Sequence, residues 1–245
     1  MPSHFSTIGI PVTSEQDFID IGQRAARLAE RHKVQNGAYY CWQDESGAAL
    51  WLQLDENDQL IGINPHFHGQ ALFQVAILTQ IKRPHDSPLD GAIRGWANGT
   101  AAAPDSGDFP FVFDLPNLAL HPELHYPAQV TIRLAAFAHE LTLYESAAAF
   151  ANRPDPRLQL AAQAFIPTGL FTENDEPPAA QAVFTGTISA WAQKQNGLTG
   201  QPFYWFAVET LGGSIDVVAD PALVPQEPVV GGLLEGSFWL TGTLL

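Results

Sequence analysis

Four segments near the end of the chain decide the fold: Ala182-Val-Phe-Thr-Gly-Thr-Ile-Ser-Ala-Trp191, Phe203-Tyr-Trp-Phe-Ala-Val208, Ser214-Ile-Asp-Val-Val-Ala219 and Leu233-Leu-Glu-Gly-Ser-Phe-Trp-Leu240. Each is rich in β-branched and aromatic residues. Asn196-Gly197, Gly212-Gly213 and Gly231-Gly232 separate them, which is the punctuation of antiparallel strands. Side chains alternate along a strand, so Phe184, Ile188, Phe206, Val208, Val217, Phe238 and Leu240 are expected to face one interior, with Trp205 and Trp239 outside it. Gly186 and Gly236 lie within strands and predict sharp coiling or close backbone approach.

Upstream, Phe5-Ser-Thr-Ile-Gly-Ile-Pro-Val12 reads as a strand. Ser14 and Asp17 have the spacing of a capping box, and Phe18, Ile21, Ala25 and Leu28 share a helical face, predicting one main helix over 14–33. Ala38–Trp42, Ala49–Leu54 and Leu60–Ile63 follow as three strands with polar turns, giving a local order β-α-β-β-β. In the middle, Ala71–Ile81 and Phe111–Phe113 read as strands. Val130, Ile132, Leu134 and Ala136 alternate with their neighbours, and the apolar phase flips near His139-Glu140, which predicts a bulge. Glu173-Asn-Asp-Glu-Pro-Pro178 is the expected domain boundary, and Asn152-Arg-Pro-Asp-Pro156 an expected loop. The chain shows no internal repeat long enough to use. The fold class is therefore α+β, predominantly antiparallel β, with an α+β domain over 1–172 and a small barrel over 181–245.

Composition narrows the function. Of 245 residues, 46% are hydrophobic and 15% charged, enough for a sizeable core. The net charge is −15, and residues 101–245 hold only 4 basic against 15 acidic groups. Phosphate backbones and anionic lipids are bound by basic side chains, so neither nucleic acid nor membrane is an expected partner. No apolar run approaches the roughly 20 residues of a membrane span, and the first residues lack the basic start of a secretion signal, which predicts a cytoplasmic protein. Cys41 is the lone cysteine and is expected to be a buried strand residue.

Histidines carry the chemistry that can be read. His66 and His68 in Asn64-Pro-His-Phe-His-Gly69 would project to one face of a strand, the arrangement of a metal-binding pair, with His4 as a third ligand. His121-Pro-Glu-Leu-His125 departs from the HExxH order, and His139 and Glu140 would face opposite ways on a strand. No G-x-S-x-G elbow, phosphate loop or dinucleotide fingerprint is present. Trp191, Trp205 and Trp239 are candidates for an aromatic ligand platform.

Two family resemblances follow. The tail, with Gly186-Thr-Ile188, the Asn196-Gly197 turn and Gly231-Gly-Leu-Leu-Glu-Gly-Ser-Phe-Trp-Leu-Thr-Gly242, resembles an OB-fold barrel, which implies an oligonucleotide- or oligosaccharide-binding scaffold. Lys194 is its only basic residue, which leaves neutral or protein ligands. The head, from His4-Phe-Ser-Thr-Ile-Gly-Ile-Pro-Val12 through the helix, resembles one module of the glyoxalase and dioxygenase family. That likeness implies a divalent metal held by His, Gln and Glu, with His4 matching the first-strand ligand. Gly62-Ile-Asn-Pro-His66 stands where that family carries a glutamate. The reading that results is a non-catalytic module with no cofactor that binds a protein or small molecule, with homo-oligomerisation through its aromatic strands also open. The alternative is a metal-dependent glyoxalase-like enzyme using His66 and His68.

Overall fold

The computed structural model describes residues 3–84, 86–154, 160–171 and 176–245. The expected boundary and the Asn152–Pro156 loop fall partly outside those residues. The protein is mostly β, in two largely antiparallel sheets. Among the described residues no helix is long and apolar enough to cross a membrane.

The head departs from its expected order. Residues 5–12 form no strand; Ser6–Ile8 is a single 3-10 turn closed by Gly9 at φ 74°. Helix α1 spans Glu15–Leu28, and Ser14 and Asp17 cap each other reciprocally as their spacing predicts. It ends five residues short of the expected 33, because Glu30–Val34 is drawn into a strand, β1, by antiparallel pairing with β2 (Gly37–Gln43) across a tight turn. Leu28 is consequently 70% exposed instead of lying on the buried face with Ile21 and Ala25. β3 (Ala48–Leu54) and β4 (Leu60–Phe67) complete a four-stranded meander in chain order. The order is α-β-β-β-β, without the opening strand that the glyoxalase-type module requires.

The second sheet contains β5 (Leu72–Ile81), β6 (Ala92–Ala97), β7 (Pro110–Asp114), β8 (Ala128–Tyr144), β9 (Ala164–Ile166), β10 (Gln181–Gln195), β11 (Pro202–Thr210), β12 (Gly213–Ala219) and β13 (Leu233–Leu244), with a short helix α2 (Ala147–Ala151) after β8. At its centre β8 and β13 form a long antiparallel ribbon, from Ile132↔Leu244 to Tyr144↔Leu233. The outer edges of this ribbon carry the remaining strands. β8 pairs with β5 through residues 128–133 and, further along, in parallel with β12 through 135–137. β13 pairs with β10 through 233–239 and with β7 through the single parallel pair Thr241↔Asp114. The pairings close two circuits that share the ribbon: β8-β5-β6-β7-β13 and β13-β10-β11-β12-β8. The four tail strands do not close among themselves; their circuit is completed by β8, from the middle of the chain.

The two circuits repeat one another, a relation invisible in the sequence. Ala71-Leu-Phe-Gln-Val-Ala-Ile77 in β5 corresponds to Ala182-Val-Phe-Thr-Gly-Thr-Ile188 in β10. The same irregularity follows each: register shifts between Ile77 and Thr79 and between Ile188 and Ala190. Phe73 pairs with Ile132 and Phe184 with Gly236, so Ala136 corresponds to Leu240. Those two residues also pair with each other, which places a local two-fold axis between them. The repeat escapes a sequence reading because the shared residues of this stretch, Ala71, Phe73 and Ile77 against Ala182, Phe184 and Ile188, are too few and too common to stand out.

The ribbon has two faces. Its front turns Ile132, Leu134, Ala136, Phe238 and Leu240 into one core that fills both circuits, together with Phe184, Ile188, Phe206, Val208 and Val217. All the expected interior positions of the tail are there. The rings of Phe165, Phe184 and Phe238 stack in series, with centroids 5.7 and 4.0 Å apart. His139 is the extra residue of a bulge, since Ala138 pairs with Phe238 and Glu140 with Ser237. This bulge returns Leu141 and Leu143 to the front face, as the phase change predicts. Gly236 has no space for a side chain: a Cβ there would lie 2.3 Å from the Glu140 carbonyl oxygen and 2.6 Å from Phe238. Gly186 is equally confined against Val208 and Glu209.

The back face, with Ala135, Phe137 and Trp239, packs against Ile8, Ile10, Trp42, Leu50 and Phe67 of the head. The 196–200 turn latches the two layers. Asn196 donates to the Ile8 carbonyl at 2.8 Å, Thr199 donates to the Gly9 carbonyl, and Arg24 donates to the Leu198 carbonyl.

Phe238 is 1% exposed and stacked on Phe184. Phe238→Ala should cost about 3–5 kcal/mol of stability, read as a lower midpoint in equilibrium denaturant unfolding. A loss under about 1 kcal/mol would mean that the shared core collapses around the cavity instead of retaining it.

Candidate functional site

Polar groups gather where the head meets the back of the ribbon. β7 ends at Asp114, whose carboxylate accepts from the Trp239 indole N–H at 2.7 Å and pairs with Arg83 at 2.8 Å. Burial pushes its pKa upward against these partners. Opposite it, Asp90 accepts from Gln53 at 2.8 Å, from Asn64 at 2.9 Å and from the Ser87 backbone N–H at 2.8 Å. Gln53 and Asn64 share the face of β3 and β4 opposite to Leu50 and Phe67, and that face is turned toward Asp90. Between these groups is a cavity of about 120 Å³, bounded also by Asp86, Pro116 and Thr241. Arg83, Asp86 and Asp90 also line an adjoining groove of about 890 Å³. Lys33, Lys82, His121 and Tyr126 lie along that groove. A volume of this order suits a small organic ligand, for which clefts of roughly 300–1,000 Å³ are usual. The adjacent cations Lys82-Arg83 in a proline-punctuated loop, within a chain that has only 11 Lys and Arg, were the available sequence signal.

The three candidate metal ligands do not converge. His66 is fully buried on β4, and its Nδ1 lies 3.1 Å from the Thr241 hydroxyl. His68 lies just past the strand, its ring 4.8 Å from that of His66. His4 is held elsewhere: its ring stacks on Trp239 at 4.3 Å, and its Nε2 lies 2.7 Å from Nε2 of His139. That contact needs one ring to donate and the other to accept, so at least the accepting ring is neutral. Burial first, and then the neighbouring charge of His139, lowers the pKa of His4 to about 4. His68 is lowered to about 4 by burial and then by Arg133, and His66 is lowered well below its ordinary value by burial, His68 and Arg133. Among the described residues no group of three His, Cys, Asp or Glu side chains is placed to hold a metal ion.

The tryptophans do not form one platform either. Trp191 packs on the core of the circuits beside Tyr204, whereas Trp205 and Trp239 lie on the opposite side, against the head. The register explains the split: Trp191 pairs with Phe206 and Ala192 with Trp205, so the two indoles take opposite parities. Trp205 donates to Asp216 at 2.6 Å, and Asp216 also accepts from the Ala71 backbone N–H. Trp239 alone reaches the cavity.

The buried histidines set a pH dependence with a definite sign. A histidine that folding holds neutral binds its proton first in the unfolded chain, so stability is lost as pH falls from about 6.5 toward 4. Asp114 and Asp216, whose pKa values are raised, act oppositely at the acid end. Urea unfolding across this range should show declining stability, and His4→Gln and His68→Gln should each flatten the decline. Slopes identical to that of the unsubstituted protein would remove the histidines from the account.

Cys41, on β2, is half-buried, and burial followed by Glu30 pushes its thiol up to about 12. Thiolate is the reactive form, so labelling by a disulfide reagent at pH 8 should be at least tenfold slower in the native than in the urea-unfolded chain. Equal rates would mean that the strand opens freely.

Comparison with models of protein families, with curated proteins and with solved structures gives no match.

Proposed function

We propose that this protein is a non-catalytic binding module for a small polyhydroxylated ligand carrying an acidic group, of the acidic-saccharide class. The observation that carries the reading is the continuity of the groove with the small polar cavity through Arg83, Asp86 and Asp90. Carboxylates, an amide and a hydroxyl line the inner cavity, which offers acceptors and donors for vicinal hydroxyls. Lys33 and Lys82 stand along the groove, suited to an anionic substituent. Trp239 supplies an apolar wall.

On this proposal each five-strand circuit is an OB-like barrel. Such barrels serve oligonucleotides and oligosaccharides, and a net charge of −15 disfavours the former. The head then acts as a cover that converts an open barrel face into an enclosed site.

Isothermal titration of the purified chain with glucuronate, galacturonate and glucose tests the reading. The uronates should bind saturably, and the double substitution Lys33→Ala, Lys82→Ala should weaken them at least tenfold while leaving any glucose binding unchanged. Absence of saturable heat with all three sugars, or uronate binding indifferent to both lysines, would sink it.

A further inference from the structure

Behind the head, away from the groove's lysines, the back of the ribbon holds four polar groups that the ligand site does not use. His66 Nε2, His68 Nε2 and Thr243 Oγ1 are buried and have no hydrogen-bond partner among the described residues. Thr243 pairs with Arg133 across the ribbon, so both project from its back face. Thr241, two residues along, shares that face and contacts His66. Among the described residues no carboxylate forms an ion pair with Arg133. Asp216, beside Gly69, is already committed to Trp205 and Ala71.

We propose that Arg133, His66, His68 and Thr243 form a binding site for a small oxyanion, a carboxylate or phosphate, between β4 and the back of the ribbon. Donors dominate the set. His66 Nδ1 lies 3.1 Å from the Thr241 hydroxyl, and in the tautomer in which that hydroxyl donates, the ring's Nε2 carries an N–H for the anion. The Thr243 hydroxyl donates in any rotamer, and the Arg133 guanidinium offers a planar fork matched to two oxygens. Leaving the His66, His68 and Thr243 groups buried and unpartnered is costly, and an oxyanion held by Arg133 would supply a partner for them. Arg133 also decides the sign of the ligand. It lies near enough to depress protonation of both histidines, and the same repulsion opposes a metal cation.

The test is a titration of the full chain at pH 7 and constant ionic strength with sodium phosphate and, separately, sodium acetate. Long-range ¹H–¹⁵N spectra of the histidine rings report the response. Saturable shifts of the His66 and His68 signals are expected with one or both anions, with an apparent Kd on the order of 1 mM or tighter. Arg133→Gln and His68→Gln should each weaken the response at least tenfold. Lys33→Ala, Lys82→Ala should leave it unchanged, which separates this site from the groove and lets either proposal fail alone. Ring signals unmoved by both anions would overturn the assignment. So would an undiminished response in Arg133→Gln and His68→Gln, or one equivalent of zinc bound through His66 and His68.

Discussion

The antiparallel pairing of β8 with β13 is the constraint on which the rest of the structure depends. Its twelve residue pairs make one ribbon the common wall of two circuits and the floor on which the head rests. Each residue along it serves one side or the other by parity alone. Ala136 and Leu240 must be apolar because both circuits close over them, whereas Trp239 and Thr241 are free to be polar because they look the other way. The bulge at His139 is the one place where this rule is reset. Without that extra residue, Leu141 and Leu143 would be turned out of the core.

The candidate ligand site follows from the same division. A ribbon with a single apolar face would need no cover. This one carries an indole and two hydroxyls on its back; His66 of the head meets Thr241, while Gln53 and Asn64 hold Asp90 beside them. Apolar packing between Phe67, Phe137 and Phe203 seals the middle of the interface, so the polar groups are confined to its margins. The cavity lies at one such margin, where the 82–91 segment bridges the two layers.

Much of the fold was legible. The four tail strands, the Ser14 cap, the hairpins of the head and the His139 bulge all follow from local parity and turn chemistry, which a single chain displays openly. What failed was nonlocal. Residues 5–12 alternate like a strand, but with no edge to pair with they settle into a turn. Glu30–Val34 continues a helical pattern until its pairing with β2 overrides it. The contribution of β8 to the tail circuit, and the repeat it creates, depend on pairings between residues far apart in sequence, such as Ala135 with Asp216 and Leu141 with Gly236. The site was less legible for the same reason. His66 and His68 were visible as a pair, yet their neighbour Arg133 comes from a distant strand, and the cavity is built from Arg83, Asp90 and Asp114, none of which belongs to a recognisable motif.

Sharing one ribbon also sets the order in which the molecule can be made. During synthesis β5, β6, β7 and β8 emerge first, but their circuit lacks a wall until β13 follows about ninety residues later. The second circuit waits for the same strand. A nascent chain therefore carries two unclosed sheets with bare edges until Leu233–Leu244 is added, and both rings then complete in a single step. Strand pairing at such sequence separation is intrinsically slow, and the waiting edges are the surfaces most open to wrong partners. The economy of one wall for two rings is thus matched by a long interval of exposure before either can close.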